Sequence, residues 1–316
     1  MQFRTKVPVQ QSSFPFDYNA KIMSLGSCFA VNMAQKLEYY KFENSCNPFG
    51  IIFNPVSIEK LVERAVNKDF FTEQDIFFHN DLWYCFEVHS EISNPDKEAF
   101  LDLLNQLVED TNKQIAQSTH FLITYGTSWV YRNIENNLIV ANCHKLSQKL
   151  FTKEILSIET IQTAIQNTLS LIQSVNPEAQ FTLTVSPVRH IKDGFVENQR
   201  SKAHLISGIH SVLNSKLTTH NYFPSYEIMM DELRDYRFYA EDMLHPSALA
   251  VDYIWERFKE ASISESVFGV MDEVENIQKS LAHKPFNPNS ESHLKFEANL
   301  RKKITKLESQ YPFMKF

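Results

Sequence analysis

The stretch Lys21-Ile-Met-Ser-Leu-Gly-Ser-Cys-Phe-Ala30 decides the fold. Its first five residues read as a short buried strand, and Gly26 ends it. Ala30, Met33, Leu37 and Tyr40 follow three and four apart, the spacing of one helix face. Strand, glycine turn and helix in that order open an α/β unit.

The same pattern recurs downstream. His120 to Tyr125 reads as a strand stopped by Gly126, and 181–185 as another ended by Ser186-Pro187. Residues 82–88 are strand-like, 129–141 suggest a hairpin turning near Glu135, and 222–230 read as a last strand with Pro224 at an edge. Apolar periodicity predicts helices over 56–67, 97–116, 199–215 and 247–260, and one carrying Ile158, Ile161, Ile165, Leu169 and Ile172. Alternating strands and amphipathic helices predict a mostly parallel sheet covered on both faces. Chemistry on such sheets gathers at the carboxyl ends of the strands.

Beyond about residue 265 the sequence turns polar. One helix is expected through Val274, Ile277 and Leu281, and another through Phe296, Leu300, Ile304 and Leu307, with Pro285 and Pro288 between them. The expected organisation is a domain over 1–264 and a helical extension over 265–316. The extension either packs on the domain or supports homo-oligomer formation.

Composition narrows the function. The chain has 316 residues, 43% hydrophobic and 22% charged, and this suits a folded core. A net charge of −7 lacks the basic surplus of a nucleic-acid binder. No apolar run approaches the ~18 residues of a membrane span. The first residues carry no apolar stretch of the secretory kind, so a cytoplasmic protein is expected, with its four cysteines as free thiols. Only six glycines occur, so each marks a place where the backbone turns or something approaches it closely.

Several residues could carry chemistry. Ser27 stands where a strand becomes a helix, beside unpaired N–H groups that favour developing negative charge; it could equally be a plain N-cap. Asp242 and His245 are spaced so that a carboxylate reaches an imidazole, which would fix its tautomer and stabilise the imidazolium. They could equally be an exposed acid and base near a helix start. Cys28 shares the helix start, which lowers a thiol pKa, and is a second candidate nucleophile. Gly50 and Gly126 could bring backbone N–H groups to a substrate oxygen, and Thr127 and Ser128 offer hydroxyls. Arg189, followed by His190, could bind a carboxylate or phosphate, or form a surface ion pair. Cys143-His144 lack the spaced partners of a zinc site, so no metal or other cofactor is expected.

The run Gly26-Ser-Cys-Phe-Ala30 is identified as the signature of the GSCFA family, a bacterial group that resembles a branch of the SGNH/GDSL hydrolases. Asn47-Pro-Phe-Gly50, Tyr125-Gly-Thr-Ser-Trp-Val-Tyr131, Cys143-His-Lys145, Ser186-Pro-Val-Arg-His190 and Glu241-Asp-Met-Leu-His-Pro-Ser247 extend the resemblance over roughly residues 20–260. It implies a three-layer flavodoxin-like α/β sandwich and an esterase or acyltransferase acting on a small-molecule or glycan ester. It also implies Ser27 as nucleophile, Asp242 and His245 as its partners, and Gly50 as an oxyanion donor. Two departures stand out: Gly26 replaces the usual Asp before the serine, and Ser128 replaces the Asn of a Gly-x-Asn element. Thr127, Ser128, Arg189, Asn47 or Asn54 would then supply the missing donor. The alternative is a non-catalytic carbohydrate- or partner-binding module on a degenerate hydrolase fold.

Overall fold

The computed structural model describes residues 5–214 and 219–316. The chain opens with strand β1 (Lys21–Gly26), helix α1 (Cys28–Tyr39), strand β2 (Glu43–Cys46) and helix α2 (Pro55–Asn67). An antiparallel hairpin of β3 (Ile76–His79) and β4 (Leu82–Cys85) precedes α3 (Lys97–Gln117) and β5 (His120–Tyr125). A small antiparallel sheet of β6 (Trp129–Asn133), β7 (Ile139–Val140) and β8 (Phe151–Ile155) follows. Then come α4 (Ile158–Val175), β9 (Gln180–Val185), α5 (Phe195–Leu213) and β10 (His220–Tyr222). A single turn α6 (Ser225–Glu227) runs into a π-helical turn at Ile228–Glu232, and α7 (Ala248–Ser262), α8 (Phe268–Ala282) and α9 (Glu291–Gln310) complete the chain.

The main sheet is five-stranded, in the order β2-β1-β5-β9-β10, and its strands pair in parallel throughout. This is the flavodoxin-like doubly wound order, whose direction switches between β1 and β5. Burial on both faces explains why β1, β5 and β9 are mostly apolar, their interior polar residues being the small Ser24, Thr124, Thr182 and Thr184. On one face Met23, Leu25, Ile123 and Leu183 pack with Leu61, Leu104, Ile165 and Leu205 of α2 to α5. On the other, Ile22 and Leu122 pack with Phe29, Met33 and Leu37 of α1 and Ile254 and Trp255 of α7. The molecule is thus a three-layer α/β sandwich.

The C-terminal helices join the second core. Met271, Val274 and Ile277 of α8 and Leu307 of α9 are buried in the cluster that holds α1, and Gln278 Nε2 donates to Tyr39 O at 3.1 Å. Among the described residues no helix is long and apolar enough to cross a membrane.

Several expectations need correction. The run 222–230 is not one strand: pairing ends at Tyr222, and Tyr226, Ile228 and Met229 are buried from helical turns. Pro224 cannot donate to a ladder, and it sits where the strand gives way to the turn. The strand in 82–88 ends at Cys85, paired with a β3 that periodicity did not announce. Strands β2 and β8 were also unanticipated. The helix expected over 199–215 starts earlier, at Phe195, behind Gly194; its expected end at residue 215 lies outside the described residues.

Candidate active site

Ser27 follows β1 directly and caps α1. Its backbone N–H donates to Thr124 O at 3.1 Å, and its Oγ accepts from Phe29 N at 3.2 Å. The hydroxyl is therefore fixed at the positive pole of a twelve-residue helix. Gly26 makes this junction possible. Its φ is +127°, and a Cβ there would lie 2.0 Å from Thr124 O on the neighbouring strand. Asn47 latches the turn from the other side, where its Oδ1 accepts from Gly26 N at 2.7 Å.

Asp242 and His245 form a unit in the loop before α7. Asp242 Oδ1 accepts from the N–H groups of Leu244 (2.9 Å) and His245 (3.0 Å), and its Oδ2 accepts from His245 Nδ1 at 2.6 Å. These bonds to the charged form hold the carboxyl down at about 2. Asp242 is then ionised at neutral pH, and an ionised carboxylate selects the His245 tautomer that donates from Nδ1, which leaves Nε2 as the nitrogen open to a proton. Both side chains are nearly half exposed.

The segment after β9 carries this loop to the carboxyl edge of the sheet. Arg189 N donates to Leu244 O at 3.1 Å, and the Arg189 guanidinium carbon lies 4.0 Å from the Tyr239 ring centre. His190 is stacked on Phe53 and close enough to His245 for the two imidazoles to interact electrostatically. Burial, followed by the charges of Lys202 and His245, pushes His190 down to about 3, so it is neutral. Its buried Nε2 has no hydrogen-bond partner among the described residues.

The expected oxyanion donors fare differently. Gly50 N donates to Asn47 O at 2.8 Å inside a tight turn, and Gly126 N donates to Phe53 O at 2.8 Å, so neither N–H is free. Thr127 Oγ1 pairs with Ser201 Oγ at 2.8 Å, and Ser128 gives its N–H to that same oxygen at 2.8 Å. These hydroxyls brace α5 through Ser201. Asn54 is spent as the cap of α2. Asn47 Nδ2 is different: it is buried and has no partner among the described residues. The first-turn N–H of Cys28 is left over by helix geometry. Burial raises the Cys28 thiol despite the helix start, so the expected lowering is reversed. His144 is a core strut, with Nε2 2.7 Å from Cys85 O.

Sequence reading missed Lys202. It lies on α5, buried, with Nζ donating to Gly126 O at 2.7 Å and Ser186 O at 2.8 Å. The signal was present: Lys202 shares a helix face with Asn198, Leu205 and Ile209, so it interrupts an apolar stripe.

Among solved structures, the chain is similar to an acetyl esterase mutant with acetate ion, at 7% identity and TM-score 0.37, covering 81% of this chain and 99% of that one. It is also similar to an acetyl xylan esterase from the rumen bacterium Butyrivibrio proteoclasticus, at 13% identity and TM-score 0.36, covering 81% and 66%. A carbohydrate esterase family 3 structure from Talaromyces cellulolyticus aligns at 9% identity and TM-score 0.31, covering 80% and 99%. No curated protein sequence matches the chain. The profile of the GSCFA domain protein C-terminal domain matches residues 274–316. The GSCFA family profile itself runs over residues 21–258, from the start of β1 into α7, and the chain belongs to that family.

Proposed function

We propose that this protein is a serine esterase or acyltransferase of the SGNH type, acting on a small ester such as an acetylated carbohydrate. The observation that carries the reading is the Asp242–His245 pair, at 2.6 Å with its tautomer set, on a loop tied to the strand-end segment that follows β9. Ser27 caps a helix on the same carboxyl edge of the sheet.

The proposed chemistry runs as acyl transfer. His245 Nε2 takes the proton of Ser27 Oγ as that oxygen bonds to the ester carbonyl carbon. The imidazolium is held by Asp242. The Cys28 N–H and the Asn47 amide stabilise the oxyanion. The carbon–alkoxide bond then breaks, and His245 returns the proton to the leaving alcohol. Water, or an acceptor alcohol, gives its proton to His245 as its oxygen bonds to the acyl carbon; the bond from that carbon to Ser27 Oγ then breaks, and His245 returns the proton to Ser27.

The test is covalent. A fluorophosphonate probe followed by peptide mapping is expected to mark Ser27, and Ser27→Ala is expected to lose both labelling and aryl-acetate hydrolysis. Full hydrolysis by a folded Ser27→Ala protein would end the proposal. A second reading, a binding module on the same fold, is favoured by the committed N–H groups of Gly50 and Gly126. It requires an unlabelled Ser27 together with glycan binding.

A further inference from the structure

We infer that Lys202 is a positioning residue of this site, holding the ends of β5 and β9 together and supplying a positive charge that favours the oxyanion in place of the N–H donor of the absent asparagine. This rests on the esterase reading.

The argument begins with cost. A buried ammonium without a carboxylate is expensive, and an apolar side chain of similar length on the inner stripe of α5 would pack without that penalty. Lys202 is 1% exposed and has no ion-pair partner among the described residues. Its acceptors are instead two carbonyl oxygens, Gly126 O and Ser186 O, at the carboxyl ends of adjacent strands. Carbonyl oxygens at this edge oppose the negative charge of a forming oxyanion, and the ammonium reverses the sign of the local potential.

The surroundings are consistent with that role. The neighbouring residue Ser201 receives Ser128, which stands where the asparagine is expected, so one turn of α5 both fills that gap and delivers the cation. The groups facing Lys202 are Cys28 at the start of α1, His190 after β9 and the Tyr226 ring at 5.4 Å. Its charge lowers both the thiol and the imidazole. Burial raises Cys28 and Tyr226 and keeps His190 neutral, so Lys202 is the group of this set that changes charge near neutrality. Burial pushes it down to about 7. Its positive charge is present below that pH and lost above it.

The experiment is the pH profile of kcat/KM for aryl-acetate hydrolysis from pH 6 to 9.5, with folding checked by circular dichroism. Wild type is expected to lose activity with a midpoint near 7. Lys202→Met is expected to have kcat reduced about 10²-fold at pH 6.5, with KM little changed and no descending limb. Lys202→Arg, which stays charged, is expected to retain activity and move the limb beyond pH 9. A wild-type rate that is flat or rising from pH 7 to 9 overturns the inference, whether or not either variant folds. So does a folded Lys202→Met with wild-type kcat. Ser27→Ala, with Lys202 intact, is the separate arm: activity there sinks the esterase reading itself.

Discussion

The two halves of the candidate site are built in opposite ways. Ser27 is 1% exposed and sits where a core strand enters a core helix. The Asp242–His245 pair is nearly half exposed and held by a local turn, with Asp242 accepting from Leu244 and His245 and Ala240 N donating to His245 O, and with Arg189 N as its tie to the segment after β9. The Ser27 half is part of the folding core, whereas the Asp242–His245 half is a local device docked on its edge. Damage to the strand–helix junction around Ser27 should appear as lost stability, and damage to the Asp242–His245 turn as lost rate.

The largest expected effect tests the Asp242–His245 half. His245→Ala should lower kcat/KM for an aryl acetate by ~10⁴-fold or more, while unfolding free energy stays within about 0.5 kcal/mol of wild type. A variant that melts much earlier would show that the loop belongs to the core after all. Next comes Gly26→Ala, which forces an L side chain to a φ of +127° against the Thr124 carbonyl. Denaturant melts should show a loss of about 3–5 kcal/mol. A near-neutral result would mean that β1 can shift away from β5, and the contrast would fail. Ser201→Ala should cost about 1–3 kcal/mol, because it leaves the buried Ser128 N–H and Thr127 hydroxyl short of a partner. Its kcat should hold, and a large fall would return Thr127 and Ser128 to the list of oxyanion donors.

The smallest effect is electrostatic. Asp242 is depressed in the folded state, so its stabilisation is complete above the unfolded value near 3.9 and is lost as pH falls through about 2. Asp242→Asn should therefore show a small stability deficit that is present at neutral pH, shrinks as pH falls through about 2 and vanishes only about a pH unit lower. Acid unfolding curves of the two proteins check this. A deficit that persists at about pH 1 would mean that the side chain matters for something besides its charge.

Much of this design was legible in the sequence. Mostly apolar runs closed by Gly26, Gly126 and Ser186-Pro187 gave the three central strands, because strands buried on both faces exclude charged side chains and admit only small polar ones. Asp242 and His245 could be paired from spacing alone. Strand β2 escaped because Glu43-Asn-Ser-Cys46 lies at an edge, where one side needs no apolar pattern. The run after Tyr222 misled because a short apolar segment looks the same in a strand and in a buried helical turn. The oxyanion donors were least legible. Whether Gly50 N–H is free depends on the turn closed by Asn47 O, a tertiary fact that no local pattern encodes. Lys202 was passed over because lysine in a helix is ordinarily solvated, and only its place on the apolar stripe signals otherwise.

The packing of α8 and α9 against α1 has a consequence for anyone trimming the gene. The tail's Tyr311 lies against Tyr18, whose hydroxyl donates to Tyr40 O just past the end of α1. Cutting the protein off after residue 264 would take Met271, Val274, Ile277 and Leu307 out of the core that holds α1, the helix capped by Ser27. Such a shortened product should turn up in inclusion bodies, and its lost turnover would then say nothing about chemistry.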